Sequence, residues 1–317
     1  MFLPIFNQMI ILFSFIVIGY LLFKCKILPQ NSDVVLSKIE NYLFLPALVL
    51  GTYVEKCTIA TLVSAWKPLA FACALLVVVL PLSYLLAKWI YRDDYLRKIA
   101  QYGLTISNIS FMGNAIMLAV FPSVFFEYTI FILPIGFLSY LWGVPALLLG
   151  REDGEKRKTG EIIKNLLNPT VLAMLLGIII GILGWKLPNP LISVLNGAGA
   201  CMAPTAMILT GVIIGKSYLR TSLLQWRVYV ISIIRMLVYP LVYIGIVMWI
   251  PIGSLFTENM LICGMMFMCL SMGLNAVVIP TAYGRDTTEA TSMALVTSLL
   301  SIGTIPLVFW LFQILVL

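Results

Sequence analysis

Ten apolar stretches, each about long enough to cross the ~30 Å hydrocarbon core of a bilayer as a helix, leave this chain little choice of fold. They run Phe6–Phe23, Val35–Val54, Pro68–Tyr91, Arg97–Phe121, Phe126–Leu149, Pro169–Trp185, Leu191–Gly215, Trp226–Trp249, Glu258–Tyr283 and Ala290–Leu317. A water-soluble core could not absorb them. Of the 317 residues, 62% are hydrophobic and 10% charged, whereas an ordinary soluble domain carries about 25% charged residues. The stretches are apolar all round, which argues spans rather than amphipathic helices lying on a surface. Helices satisfy their own backbone in lipid, so the expected class is all-α integral membrane.

The first stretch lacks a basic segment before it and a small-residue cleavage pattern after it, so it reads as a membrane helix and not a signal peptide. The net charge of +7 is better explained by orientation than by nucleic-acid binding. Lys56, Lys67 and Lys186 lie in even-numbered loops and Arg235 lies inside segment 8. All the others of the 20 basic residues follow segments 1, 3, 5, 7 and 9. Basic loops stay cytoplasmic, which puts both termini outside the plasma (inner) membrane.

Landmarks recur at a nearly constant offset. Pro46 matches Pro204, Pro81 matches Pro240, Gly113 matches Gly273, Asn114 matches Asn275, Glu127 matches Glu289 and Pro145 matches Pro306, at separations of 158 to 162. Each copy holds five spans, an odd number, so the second must enter from the opposite face. Residues 1–150 form a first repeat, 151–165 a hydrophilic cytoplasmic linker and 166–317 a second, inverted repeat. Inverted repeats offer two arrangements of similar energy, which alternating access requires.

Two corresponding spans are interrupted by polar residues. Segment 4 contains Asn108, Ser110, Gly113 and Asn114; segment 9 contains Ser271, Gly273 and Asn275. Glycine weakens a helix by about 1 kcal/mol relative to alanine, and a buried amide must find a partner. Helices unwound here would turn free N–H groups toward an anion, with asparagine amides as further donors. The simpler alternative is helix-packing glue at a close crossing.

These residues carry a resemblance. N-I-S-F-M-G-N-A from Asn108 is similar to the N-T-G-F-M-G-x-P of the auxin efflux carrier family. N-A-V-V-I-P-T-A-Y-G-R-D from Asn275 resembles its ninth span, L-L-N-P from Leu166 the start of its sixth, R-M-L-V-Y-P from Arg235 its eighth, and S-L-L-S-I-G-T-I-P-L from Ser298 its last. The resemblance implies ten spans, with broken helices 4 and 9 crossing. It implies a scaffold of helices 1, 2, 6 and 7, often dimeric, and a transport domain of helices 3–5 and 8–10. It further implies an organic anion whose carboxylate sits at Asn108. Where the family has crossover prolines this chain has Ala115 and Ser271, so any break must come from glycine and from Asn or Ser bonding to backbone.

Glu40 and Arg235 fall within spans, where an ionisable residue is a functional candidate. Arg235 would draw in an anion or pair with Glu40. The plainer reading has both snorkel to the cytoplasmic headgroups. Glu127 and Glu289 suit helix starts.

No histidine occurs, the six cysteines form no C-x-x-C pair, and no G-x-S-x-G is present, all of which disfavours an enzyme and a resident metal. The expected function is secondary transport of small carboxylates without a cofactor, although hydroxyl and carbonyl oxygens could hold sodium. A sodium-coupled importer of the bile acid symporter type is the alternative within transport. A non-cycling sensor or channel is the alternative outside it.

Overall fold

The structure, a computed structural model, describes residues 2–148, 169–216, 225–249, 256–282 and 287–317. It is all-helical. The helices are α1 (Phe2–Lys24), α2 (Ser32–Lys56), α3 (Ile59–Ile90), α4 (Asp94–Thr105), α5 (Ile109–Val120), α6 (Phe125–Leu148), α7 (Pro169–Leu183), α8 (Asn189–Lys216), α9 (Trp226–Val247), α10 (Glu258–Cys269), α11 (Asn275–Ala282) and α12 (Thr288–Leu315). Seven of them, α1, α2, α3, α6, α8, α9 and α12, are long and apolar enough to cross a membrane. The other three expected segments are shorter or divided helices. Segment 6 is the 15-residue α7, and segments 4 and 9 are each two helices, α4 with α5 and α10 with α11. The expected linker 151–165 and the basic residue Arg285 lie outside the described residues.

Two glycines bring α1 and α8 backbone to backbone. A Cβ on Gly211 of α8 would lie 2.0 Å from the Ile16 carbonyl oxygen of α1, and one on Gly19 of α1 would lie 2.2 Å from the Ile208 oxygen of α8. Bare backbone on both sides lets these helices pack without intervening side chains. A similar contact joins α7 to α2, where Gly177 faces Tyr53 and Gly181 faces the Tyr53 and Cys57 carbonyls. Lys216 at the end of α8 pairs with Asp33 at the start of α2, 2.6 Å apart. Helices α1, α2, α7 and α8 thus pack as one group, while α3 packs on α4 and α6, and α9 on α12.

α4 and α10 begin alike. Asp93 caps the first by accepting from the Leu96 N–H, and Thr257 caps the second by accepting from the Met260 N–H. Such caps partner an otherwise free donor at the helix start. At its exposed start Asp94 pairs with Lys98 (2.8 Å) and Arg97. The hydrogen bond from Lys98 holds its carboxyl below the usual aspartate value. Each helix runs for 12 residues, or ~18 Å at about 1.5 Å per residue. Each is therefore shorter than the ~30 Å hydrocarbon core that a single spanning helix must cross.

Four helical stretches among the described residues are wound as π-turns: Glu40–Phe44, Ile109–Gly113, Ser139–Leu148 and Ile234–Val238. Two end just before a proline, Pro46 and Pro240. The proline ring clashes with the carbonyl four residues back and lacks a donor, and a wider turn relieves both. These turns hold Glu40, Ser110, Ser139, Tyr140 and Arg235.

Candidate functional site

The interrupted segments break where the polar residues stand, and the two breaks meet. α4 ends at Thr105 and α5 begins at Ile109; α10 ends at Cys269 and α11 begins at Asn275. The freed strands run antiparallel, with Ser107 opposite Met272. The Asn108 N–H donates to the Ser271 carbonyl (2.8 Å) and the Gly273 N–H to the Ile106 carbonyl (3.1 Å). The Met272 N–H donates to Thr297 Oγ1 of α12 (3.3 Å). Backbone groups that leave a helix in lipid need partners, and here each break supplies them to the other.

The remaining orphans are the carbonyls at the C-terminal ends of α4 and α10, and one side chain takes three of them. Arg235 Nε donates to the Leu270 carbonyl (3.1 Å), Nη2 to Phe267 (2.6 Å) and Nη1 to Leu104 (3.0 Å). The guanidinium also lies over the Phe267 and Tyr239 rings, 5.4 and 5.6 Å from their centroids. Its planar fork suits acceptors at several fixed angles. This overturns two expectations. Arg235 does not snorkel to the headgroups, because it is 0% exposed. Nor does it pair with Glu40, because its polar contacts are these carbonyls. The breaks are thus held by the guanidinium and reciprocal backbone bonds, where glycine and Asn or Ser side-chain bonds to backbone were expected.

A small cleft opens against the breaks, lined by Ser107, Asn108, Ser110, Gly273 and Asn275, and also by Ser139 and Tyr140 of α6. Asn275 Nδ2 donates to the Tyr140 hydroxyl (3.4 Å), and Ser139 shares a 2.8 Å hydrogen bond with the Tyr102 hydroxyl. Two donors are left over: Asn108 Nδ2 and Ser107 Oγ are buried with no protein partner. Asn108 starts α5 without bonding its side chain to the helix, which leaves the amide free for something in the cleft.

A second cleft also lies against α5. Ser110 and Asn114 line it together with Tyr53, Thr129 and Thr170, and its remaining walls are apolar, including Leu45, Val49 and Met174. Thr129 Oγ1 and Tyr53 are 3.2 Å apart, and Asn114 Oδ1 has no protein partner. The expected residues therefore divide: Asn108, Gly273 and Asn275 at the first cleft, Asn114 at the second, Ser110 at both. Gly113 and Ser271 line neither. A Cβ on Gly113 would come within 2.0 Å of the Tyr128 hydroxyl, which donates to the Ile109 carbonyl (3.0 Å) and so ties the π-turn to α6. Ser271 is fully buried with its hydroxyl toward Met112 Sδ, 3.6 Å away. Ser107, Ser139 and Tyr140 were not singled out from sequence. The polar pair Ser139–Tyr140 inside an otherwise apolar span was the available signal.

The outlying acids are accounted for. Glu127 accepts from Asn259 Nδ2 (2.9 Å), and Glu289 accepts from the Tyr91 hydroxyl (2.5 Å). Glu40 differs: it is 0% exposed and both carboxyl oxygens lack a partner. An unpartnered polar group in protein interior costs about 1–3 kcal/mol. Glu40→Met, similar in length, is therefore expected to stabilise the detergent-solubilised protein by about that amount, with Glu40→Gln giving little gain. Thermal unfolding checks this, and a lower midpoint for Glu40→Met would mean the carboxyl is stabilising.

The sequence model of the family described as Membrane transport protein matches residues 4–310. No curated protein matches the chain.

Proposed function

The chain belongs to the membrane transport protein family, that of the auxin efflux and PIN-type carriers, and on that premise we propose that it moves small organic anions across the plasma membrane by alternating access. The observation that carries this reading is the pair of free donors, Asn108 Nδ2 and Ser107 Oγ, facing a cleft at the meeting of two broken helices. Donors without a protein acceptor, next to the N-termini of α5 and α11, suit a carboxylate. Asn108 and Ser107 would hold its oxygens, Asn275 and Tyr140 would close the far side, and Ser110 would face the substrate from α5. Asn114 would serve the second cleft instead. Gly113, Gly273 and Ser271 would keep the two breaks close.

The wider architecture proposed is ten spans in two inverted five-helix repeats, with segments 4 and 9 crossing. The antiparallel run of the two breaks supports opposite entry of the repeats. The packing of α1, α2, α7 and α8 as one group supports a scaffold distinct from a moving domain built from the remaining helices. Both termini would face outward, and a homodimer would form through the scaffold.

Purified protein in proteoliposomes, offered radiolabelled mono- and dicarboxylates, tests the reading. Concentrative uptake of at least one carboxylate is expected, driven by an imposed substrate, proton or sodium gradient. Passive equilibration alone would indicate a channel, and uptake that collapses without sodium would indicate the symporter mechanism. No carboxylate flux under any gradient would remove the proposal.

A further inference from the structure

Arg235 does more than hold carbonyls. Four helix ends converge at the breaks: the C-termini of α4 and α10 and the N-termini of α5 and α11. Each C-terminus carries the equivalent of about −0.5 charge and each N-terminus about +0.5, so the four ends by themselves roughly cancel. The guanidinium adds a full positive charge at the two negative ends. Among the described residues no carboxylate pairs with it.

We propose that Arg235 determines the site's preference for anions: it turns a neutral junction of four helix ends into one of net positive charge, and the substrate's carboxylate in the first cleft is its counter-ion. This rests on that cleft being the substrate site.

The geometry keeps the charge within range. Leu104, whose carbonyl Arg235 binds, is two residues from Ile106 in the cleft wall, and Leu270 is three from Gly273. At no more than about 3.5 Å per residue, the guanidinium stands roughly 10 Å from the wall. At that distance, with an effective dielectric constant of about 20, one charge changes carboxylate affinity by about tenfold.

The charge is also not duplicated by the repeat. Pro240 matches Pro81, and five residues before Pro81 stands the apolar Leu76, buried at 6% exposure. One residue therefore serves both breaks. Among the described residues no acid forms an ion pair with it, and it lies fully inside the protein, where a charge retained without a partner calls for a mobile one.

The test compares binding of benzoate and phenylacetate with binding of their primary amides, which match them in shape but carry no charge, to full-length protein in nanodiscs. Wild type is expected to favour an acid over its amide by about tenfold or more. Arg235→Lys, which keeps the charge and loses the fork, should retain that ratio at lower thermal stability. Arg235→Met should bring the ratio close to one. Should Arg235→Met fail to fold, Arg235→Lys still decides, because a lost ratio there assigns the preference to shape and overturns the proposal. Equal affinity of acid and amide in wild type, no measurable binding of either acid, or an undiminished ratio in Arg235→Met also overturns it. An Asn108→Ala control separates the two levels. If Asn108→Ala binds acids as wild type does, the cleft assignment fails; if it loses them while Arg235→Met keeps the acid preference, only the role of Arg235 fails.

Discussion

Asn108→Ala is expected to cut transport at low substrate concentration by about 10- to 100-fold while leaving the protein folded. Two structural facts set the size and the selectivity of this effect. The side chain makes no bond that the fold needs: it caps nothing in α5, and its amide nitrogen is buried without a protein partner. The backbone of Asn108, by contrast, is committed to Ser271 and Gly113, and alanine preserves both bonds. On the proposed reading what is lost is a donor to the substrate, and a hydrogen bond to a charged group contributes about 1.5–3 kcal/mol. Asn275→Ala is expected to act more weakly, because its amide is already engaged with Tyr140 at 3.4 Å. Uptake into proteoliposomes, beside an unchanged unfolding midpoint, measures both. Wild-type uptake by Asn108→Ala would take the substrate away from this cleft.

The second large effect concerns folding. Gly211→Ala is expected to destabilise the protein by at least about 3 kcal/mol, the upper range for overpacking, and to reduce the yield of monodisperse material. The added methyl would fall 2.0 Å from Ile16 O, 2.7 Å from Tyr20 N and 3.0 Å from Gly19 Cα. All three are backbone atoms, so no side chain can turn aside, and α1 and α8 must separate. Gly197→Ala on the same helix is the control. Its Cβ would meet nothing within 4 Å, and relief of glycine's helix penalty should leave it neutral or stabilise it by up to about 1 kcal/mol. Similar unfolding midpoints for the two variants would show that the α1–α8 contact tolerates separation.

What could be read from sequence was what local composition determines. The apolar runs mark the long helices because lipid imposes one chemistry along a whole span. The clusters around Asn108 and Asn275 mark the breaks because polar residues there have no local reason to exist. What holds the breaks was not legible. Arg235 is separated from Leu104 by more than half of a repeat and from Leu270 by a full helix and a loop, and sequence alone favoured its turning to the headgroups. The division of Asn108 from Asn114 also escaped, although helix geometry hints at it. Six residues along a helix at 3.6 per turn bring a side chain about 120° round the axis, enough to face another cleft. Gly113 looked like part of a binding site and instead makes room for Tyr128. Glycine spacing alone does not distinguish room for a ligand from room for a neighbouring tyrosine.

The mutual bonding of the two breaks has a mechanical consequence. Pulling them apart would strand the Asn108 and Gly273 N–H groups with their Ser271 and Ile106 acceptors, and would part Arg235 either from the Leu104 carbonyl or from those of Phe267 and Leu270. At about 1–3 kcal/mol for each unsatisfied buried group, that makes a prohibitive hinge. The breaks are therefore a weld rather than a joint: α4, α5, α10 and α11 travel together. Any large displacement has to be taken up elsewhere, along seams where apolar side chains slide past one another, such as the face between α1 and α12.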